Sequence, residues 1–183
     1  MKKVIKISLL SFFIFFLVNI PLSDGTESIT FMYDYESDHT TRSLIEEFEG
    51  LRLVAYRCPA GVATIGIGST YYENGKKVKI GDKISFKRAN QLYNFNISQV
   101  KKQLENLVKV ELTKNQESAL TSFLYNVGYG NFKRSRLLQM INTNPNNPRI
   151  QQEFLKWTTS KGIPLKGLKR RRIEELKLYF TKN

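Results

Sequence analysis

The chain has 183 residues, of which 41% are hydrophobic and 25% are charged, values typical of one soluble globular domain with a short extension. The single cysteine, Cys58, excludes a disulfide within the chain. The single histidine, His39, argues against a zinc centre and against nucleophilic catalysis that needs a histidine base. Catalysis in this chain would therefore have to use carboxylates, hydroxyls and one thiol.

The net charge of +13 is unevenly distributed along the chain. Residues 1–23 carry +3 and residues 24–40 carry −5, whereas residues 41–183 hold 26 basic and 11 acidic side chains, a net charge of +15. A strongly cationic domain favours a polyanionic partner, such as nucleic acid, an anionic membrane or a bacterial cell wall.

The first residues, 1–23, are typical of an export segment. Two lysines precede an apolar run over residues 7–18, which is shorter than the ~20 apolar residues of a spanning helix. We interpret the segment as a signal peptide or as a signal anchor at the inner membrane, and export argues against a nucleic-acid partner. Residues 24–40 are acidic and lack helical periodicity, which indicates a linker, and residues 41–183 are interpreted as the folded domain.

The domain sequence begins with a helical pattern and continues with a β-rich one. Thr41 can cap a helix with an apolar face that reaches Phe48. Residues 53–80 contain alternating glycines and β-branched residues, and the Asn74-Gly75 pair is a strong hairpin signal.

From Ser85 to its end, the chain is predicted to be helical. Ser85 is a predicted N-cap, Thr113 and Gln116 form a predicted capping box, and Gly128 and Gly130 are predicted to end the second of these helices. The pattern predicts an α+β fold with a small N-terminal β-sheet lobe, a larger helical C-terminal lobe and a ligand cleft between them.

Glu49 lies where the first predicted helix ends. The negative end of the helix dipole and nearby apolar groups disfavour a charged carboxylate, so both effects favour the protonated form that a general acid needs. On sequence physics alone, the commoner role of such a residue is that of a surface glutamate like Glu46 and Glu47.

Cys58 and Thr64 flank a Pro-Ala-Gly turn on the β segment expected to face that helix. A thiol and a hydroxyl together could hold a water molecule opposite Glu49, although a small apolar residue and an ordinary strand threonine are the simpler alternatives. Three consecutive arginines, residues 170–172, are interpreted as a solvated or wall-facing surface, because consecutive helix positions cannot all face one way.

The stretch IEEFEGLRLVAYRCPAGVATIGIGST, residues 45–70, closely resembles the catalytic region of phage-type lysozymes, the endolysins of glycoside hydrolase family 24. The family pattern is Glu, eight residues, Asp or Cys, five residues, and Thr. Glu49, Cys58 and Thr64 fit this spacing.

Two further blocks, residues 116–142 and 154–179, resemble the family in order and spacing, so the resemblance covers about residues 41–180. It implies a two-lobed α+β fold with a cleft. It also implies that a monomer without metal or cofactor hydrolyses the β-1,4 bond between N-acetylmuramic acid and N-acetylglucosamine in bacterial peptidoglycan.

By the same resemblance, Glu49 is the proton donor, and Cys58 and Thr64 occupy the second and third catalytic positions. Cys58 is a known variant of the commoner aspartate, but a neutral thiol cannot supply the charge of the second carboxylate that glycosidases usually have. Ser69 stands where many relatives have histidine.

We expect an exported enzyme that acts in the periplasm, or on the periplasmic face of the inner membrane, in host lysis or wall degradation. Two alternatives stay open on the sequence. One is a lytic transglycosylase, which cleaves the same bond without water, and the other is a non-catalytic cationic protein that binds the wall. In each case, basic residues 169–172 are expected to assist wall binding.

Overall fold

The computed structural model of the protein describes residues 40–58, 61–160 and 162–182. The predicted export segment and most of the predicted acidic linker lie outside these residues. Within the described part of the chain, no helix is both long enough and apolar enough to cross a membrane.

The N-terminal part consists of one helix and an antiparallel pair of strands. Helix α1 covers residues 40–49 and is followed by strands β1 (Arg52–Arg57) and β2 (Ala63–Gly66). Tyr56 pairs directly with Thr64 across the two strands, so their side chains lie on the same face of the sheet.

The hairpin signal of this part is confirmed and the predicted helix cap is wrong. The Gly75 N–H donates to the Tyr72 carbonyl over 3.0 Å, which closes the turn expected at Asn74-Gly75. Thr41 does not cap α1, because residue 40 is already helical and the Thr41 side chain is buried inside the fold.

The helical body follows in the order α2 (Phe86–Leu107), α3 (Lys114–Val127), α4 (Tyr129–Lys133), α5 (Arg136–Thr143), α6 (Ile150–Leu155) and α7 (Lys166–Phe180). A short antiparallel pair, β3 (Thr159–Ser160) and β4 (Ile163–Pro164), separates α6 from α7. The prediction of helix from Ser85 to the end is therefore wrong here, because Gly162 and Pro164 interrupt the helical pattern.

Local capping signals in the body were predicted well. Ser85 accepts a hydrogen bond from the Arg88 N–H, and Thr113 and Gln116 form both bonds of a capping box. Gly128 ends α3 as predicted, whereas Gly130 lies inside α4 and ends no helix.

The main hydrophobic core lies among the helices of the body, from the end of α2 to α7, and centres on Phe123. Phe132, Phe154 and Trp157 contact the Phe123 ring edge-on, with ring centroids 5.8, 4.9 and 5.7 Å away. Edge-to-face pairs at these separations stabilise aromatic cores beyond the burial of area alone.

A smaller buried cluster joins α1 to the β strands and to the helical body. It consists of Ile45, Ile67, Tyr93 and Ile97, with Tyr125 packed against it. Because Ile45 lies one helical turn before Glu49, this cluster fixes the end of α1 next to the loop that follows β2. The fold is thus the predicted α+β arrangement.

Candidate active site

Glu49 is the last residue of α1, and its side chain is 21% exposed. Gly50 follows it with a φ of +67°, a left-handed conformation that ends the helix, and its N–H donates to the Glu46 carbonyl over 2.9 Å. The helix therefore stops at the point that leaves the Glu49 carboxyl between the β strands and the helical body.

One oxygen of this carboxyl lies against the loop after β2. Gly68 has a φ of +80°, and a Cβ atom at this position would stand 3.0 Å from Glu49 Oε2 and 3.2 Å from Tyr125 Cε1. The Tyr125 hydroxyl donates to the Ile67 carbonyl, which ties the same loop to α3. Glycine at position 68 thus allows the backbone to approach the carboxyl closely.

The other carboxyl oxygen contacts Arg171 of α7. Arg171 Nη1 donates to Glu49 Oε1 over 2.5 Å, and the arginine side chain is only 3% exposed. Arg171 is itself fixed, since its Nε lies 3.1 Å from Glu175 Oε1 and its Nη2 donates to the Ser122 carbonyl over 3.1 Å.

The prediction of a solvated surface at residues 170–172 is therefore wrong for two of the three arginines. Arg171 and Arg172 are buried, and only Arg170 is exposed, where it pairs with Glu47 at 3.0 Å. As a consequence, only Lys169 and Arg170 of residues 169–172 are exposed and available for the expected wall binding.

The helical period of α7 contained a signal for this burial. The buried residues of α7 recur at the spacing of a single helix face, and they are Arg171, Arg172, Glu175, Leu176 and Tyr179. Two arginines and a glutamate thus share a face with core residues, a pattern that indicates a buried ionic cluster.

Arg172 and Glu175 complete this cluster. Arg172 Nε lies 2.8 Å from Glu175 Oε2, with both side chains 0% exposed, and the Ser122 hydroxyl donates to Glu175 Oε1 over 2.8 Å. Burial lowers the pKa of Arg172 to about 10, against the opposing effect of Glu175. Burial also raises the pKa of Glu175, and the two guanidinium groups oppose this shift.

Cys58 and Thr64 lie together at the end of the β1–β2 pair. The Cys58 N–H donates to the Val62 carbonyl over 3.0 Å, and the Thr64 hydroxyl donates to the same carbonyl over 3.1 Å. Thr64 is buried and Cys58 is partly exposed.

Tyr56 lies near both Glu49 and this pair. Burial raises the pKa of Tyr56, and the electrostatic effects of Glu49 and Cys58 raise it further, while Arg52 lowers it. The phenol therefore lies within electrostatic range of both groups. Tyr56 was not among the predicted site residues, because only its pairing with Thr64 across β1 and β2 brings it to this position.

Ser69 of the loop after β2 also makes a polar contact. Its side chain is buried, and its hydroxyl accepts a hydrogen bond from Asn96 Nδ2 of α2 over 2.8 Å. A serine–asparagine pair thus connects the loop after β2 to the helical body.

An open groove of about 520 Å³ lies between α1 and α7, and the described residues that line it do not include Glu49. No group of three or more His, Cys, Asp and Glu side chains that could hold a metal ion occurs in the described ranges.

The chain also resembles proteins that are already classified. The model of the phage lysozyme family matches residues 46–175, more than half of the chain. The chain belongs to the phage lysozyme family. This lysozyme is 39% identical to an endolysin of Acyrthosiphon pisum secondary endosymbiont phage 1. The alignment spans 140 residues and covers 74% of this chain and 92% of that protein. It is also 34% identical to a SAR-endolysin of Enterobacteria phage P21 over 124 residues, which cover 68% of this chain and 72% of that protein.

Solved structures of similar proteins agree with this assignment. An endolysin from Escherichia coli O157:H7 phage FAHEc1 has a TM-score of 0.69 at 32% identity, covering 77% of this lysozyme and 90% of that chain. The muramidase domain of SpmX from Asticaccaulis excentricus has a TM-score of 0.67 at 30% identity, covering 79% and 96%. The expected lysozyme fold and the expected class, a lysozyme-type glycoside hydrolase, are confirmed.

Proposed function

We propose that this lysozyme hydrolyses the β-1,4 bond between N-acetylmuramic acid and N-acetylglucosamine in peptidoglycan, with Glu49 as the acid. Its family and its endolysin and muramidase relatives support a muramidase that lyses cells. The observation that carries the residue assignment is the fixed Glu49 carboxyl, one-fifth exposed between the β strands and the helical body. A positioned carboxylic acid at such a junction can protonate a glycosidic oxygen.

Arg171 positions this acid in the proposed mechanism. Glu175 holds Arg171 from the other side, because Glu175 Oε1 lies 3.1 Å from Arg171 Nε. Arg171 can therefore orient Oε1 while Oε2 carries the proton to be donated.

Thr64 and Cys58 are proposed to position the attacking water. The single Thr64 hydroxyl proton is already donated to Val62, so the oxygen can only accept a further hydrogen bond. A water that donates to Thr64 and to the Cys58 sulfur directs a lone pair at the anomeric carbon. Glu49 then protonates the departing oxygen of N-acetylglucosamine while the water oxygen bonds to the anomeric carbon. The water releases a proton to the solvent and becomes the new hydroxyl of N-acetylmuramic acid, and the Glu49 carboxylate regains a proton from the solvent.

Analysis of the sugar ends tests the reaction. Digestion of purified peptidoglycan by the full chain is expected to release reducing N-acetylmuramic acid ends, measured by mass spectrometry. Anhydro ends would instead show that the glycosidic bond is replaced by a bond within the N-acetylmuramic acid residue, without water, as in a lytic transglycosylase. An absence of cleavage at any enzyme concentration would contradict the proposal.

Substitution of Cys58 tests the second position. We expect Cys58→Ala to lower the hydrolysis rate at least about tenfold, because the water loses one acceptor, and Cys58→Asp to retain activity, because a carboxylate accepts better than a thiol. Val62→Ala is the matched control, since Val62 is an exposed side chain in the same turn. Full activity of Cys58→Ala would remove Cys58 from the mechanism.

Residues 1–23 are proposed to export this lysozyme to the periplasmic side, as a signal peptide or as a membrane anchor. The basic and apolar composition of the segment and the similarity to a SAR-endolysin support export towards the cell wall. The enzyme is proposed to act there as a monomer.

A further inference from the structure

A dense cluster of accessible positive charge lies beside the β strands. Residues 76–87 contain five lysines and one aspartate, and all five lysine side chains are exposed. The aspartate, Asp82, is already used, since its carboxylate accepts hydrogen bonds from the Tyr72 hydroxyl and the Lys79 N–H, both over 2.9 Å. This stretch therefore presents a local net charge of +4 to the solvent.

Large apolar side chains are exposed in the same region. Phe86, Ile80 and Val54 are 60%, 52% and 51% exposed. Val54 pairs with Lys83 in an antiparallel bridge, and the Ile84 N–H donates to the Leu53 carbonyl over 2.9 Å. The stretch from Ile80 to Phe86 thus runs alongside β1 and brings exposed apolar and basic side chains close together.

We propose that this surface, formed by Val54, Ile80, Phe86 and the five lysines of residues 76–87, binds an anionic phospholipid membrane. Surfaces that rest on membranes combine exposed apolar side chains, which enter the boundary between headgroups and acyl chains, with lysines that meet the phosphates. A wall polyanion would use the lysines but would leave the three apolar side chains in water. A second copy of the chain is disfavoured, because two like-charged surfaces repel each other.

This contact belongs to the folded domain and goes beyond both the hydrolytic activity and the export segment. With an anchored chain it would add a second attachment point, which raises the effective concentration of the domain at the membrane. With a cleaved chain it would be the attachment itself.

An indole placed in the surface gives a local test in the full chain. Trp157 is the only tryptophan, so Phe86→Trp combined with Trp157→Phe reports on this surface alone. With phosphatidylglycerol-containing vesicles we expect emission at shorter wavelength and quenching by brominated acyl chains. The control places the indole at Ile163 instead, a side chain of β4 that is 63% exposed. Its emission should neither shift to shorter wavelength with these vesicles nor be quenched by brominated acyl chains.

The local readout separates this contact from binding through residues 1–23. If the protein sediments with vesicles while the indole at position 86 stays in water, the proposal is wrong. An equal response with pure phosphatidylcholine vesicles would also overturn it, because the lysines would then have no role.

Charge reversal provides a second test. A triple variant with Lys79→Glu, Lys83→Glu and Lys87→Glu should partition onto anionic vesicles at least about tenfold more weakly. Added salt should likewise weaken the partitioning of the unsubstituted protein. The control carries Lys102→Glu, Lys109→Glu and Lys133→Glu, three exposed lysines of the helical body. Hydrolysis of purified peptidoglycan without lipid should stay unchanged, and its loss in the first variant would assign the surface to the wall instead.

Discussion

Glu49→Gln is expected to lower the rate of peptidoglycan hydrolysis by ~10²- to 10⁴-fold, the range that a positioned general acid contributes. The amide matches the carboxyl in size, so it fits against Gly68, and its oxygen can still accept from Arg171. It cannot, however, give up a proton to the glycosidic oxygen. The release of reducing ends from purified peptidoglycan measures the rate, and circular dichroism checks that the variant is folded.

Glu47→Gln is the matched control for this prediction. Glu47 lies on the same helix, its side chain is 50% exposed, and its ion pair with Arg170 lies at the surface. Such a pair contributes little to stability, so activity should remain within about twofold. If Glu49→Gln were to keep a rate similar to that of the control, Glu49 would not be the acid.

The elements that were predicted correctly depend on neighbours in the sequence. The Thr113–Gln116 capping box and the turn at Asn74-Gly75 form from residues within four positions of each other, so a local pattern is sufficient to identify them. The predicted cap at Thr41 was wrong, because burial of that side chain depends on the packing of the whole helix.

The candidate site was predictable only in part, for the same reason. The spacing of Glu49, Cys58 and Thr64 is visible in the sequence, although its meaning came from resemblance to a family. The contact between Glu49 and Arg171 joins residues 122 positions apart, and no local pattern specifies it. The period of α7 could have shown that Arg171 faces the core, but it could not have identified Glu49 as the partner.

Glu175→Gln is expected to destabilise the protein by about 3–5 kcal/mol, the usual effect of removing one partner from a buried ion pair. The amide leaves the buried guanidinium groups of Arg171 and Arg172 with Glu49 as their remaining anionic partner. For a chain of this size, the melting temperature should fall by roughly 10 °C. The control is Glu174→Gln, which breaks only the exposed pair with Lys177 and should change stability by less than about 0.5 kcal/mol.

A double substitution identifies the cause of this destabilisation. Arg172→Leu combined with Glu175→Leu removes one cation and one anion, so Arg171 and Glu49 remain as a balanced pair. If uncompensated buried charge is responsible, the double variant should be more stable than Glu175→Gln, because no excess cation remains in the core. If it is equally unstable, the hydrogen bonds of Glu175 to Ser122 and Arg171 carry the effect instead. A change below 1 kcal/mol for Glu175→Gln would contradict both explanations and show that Arg171 is held in place by Ser122 and Glu49 alone.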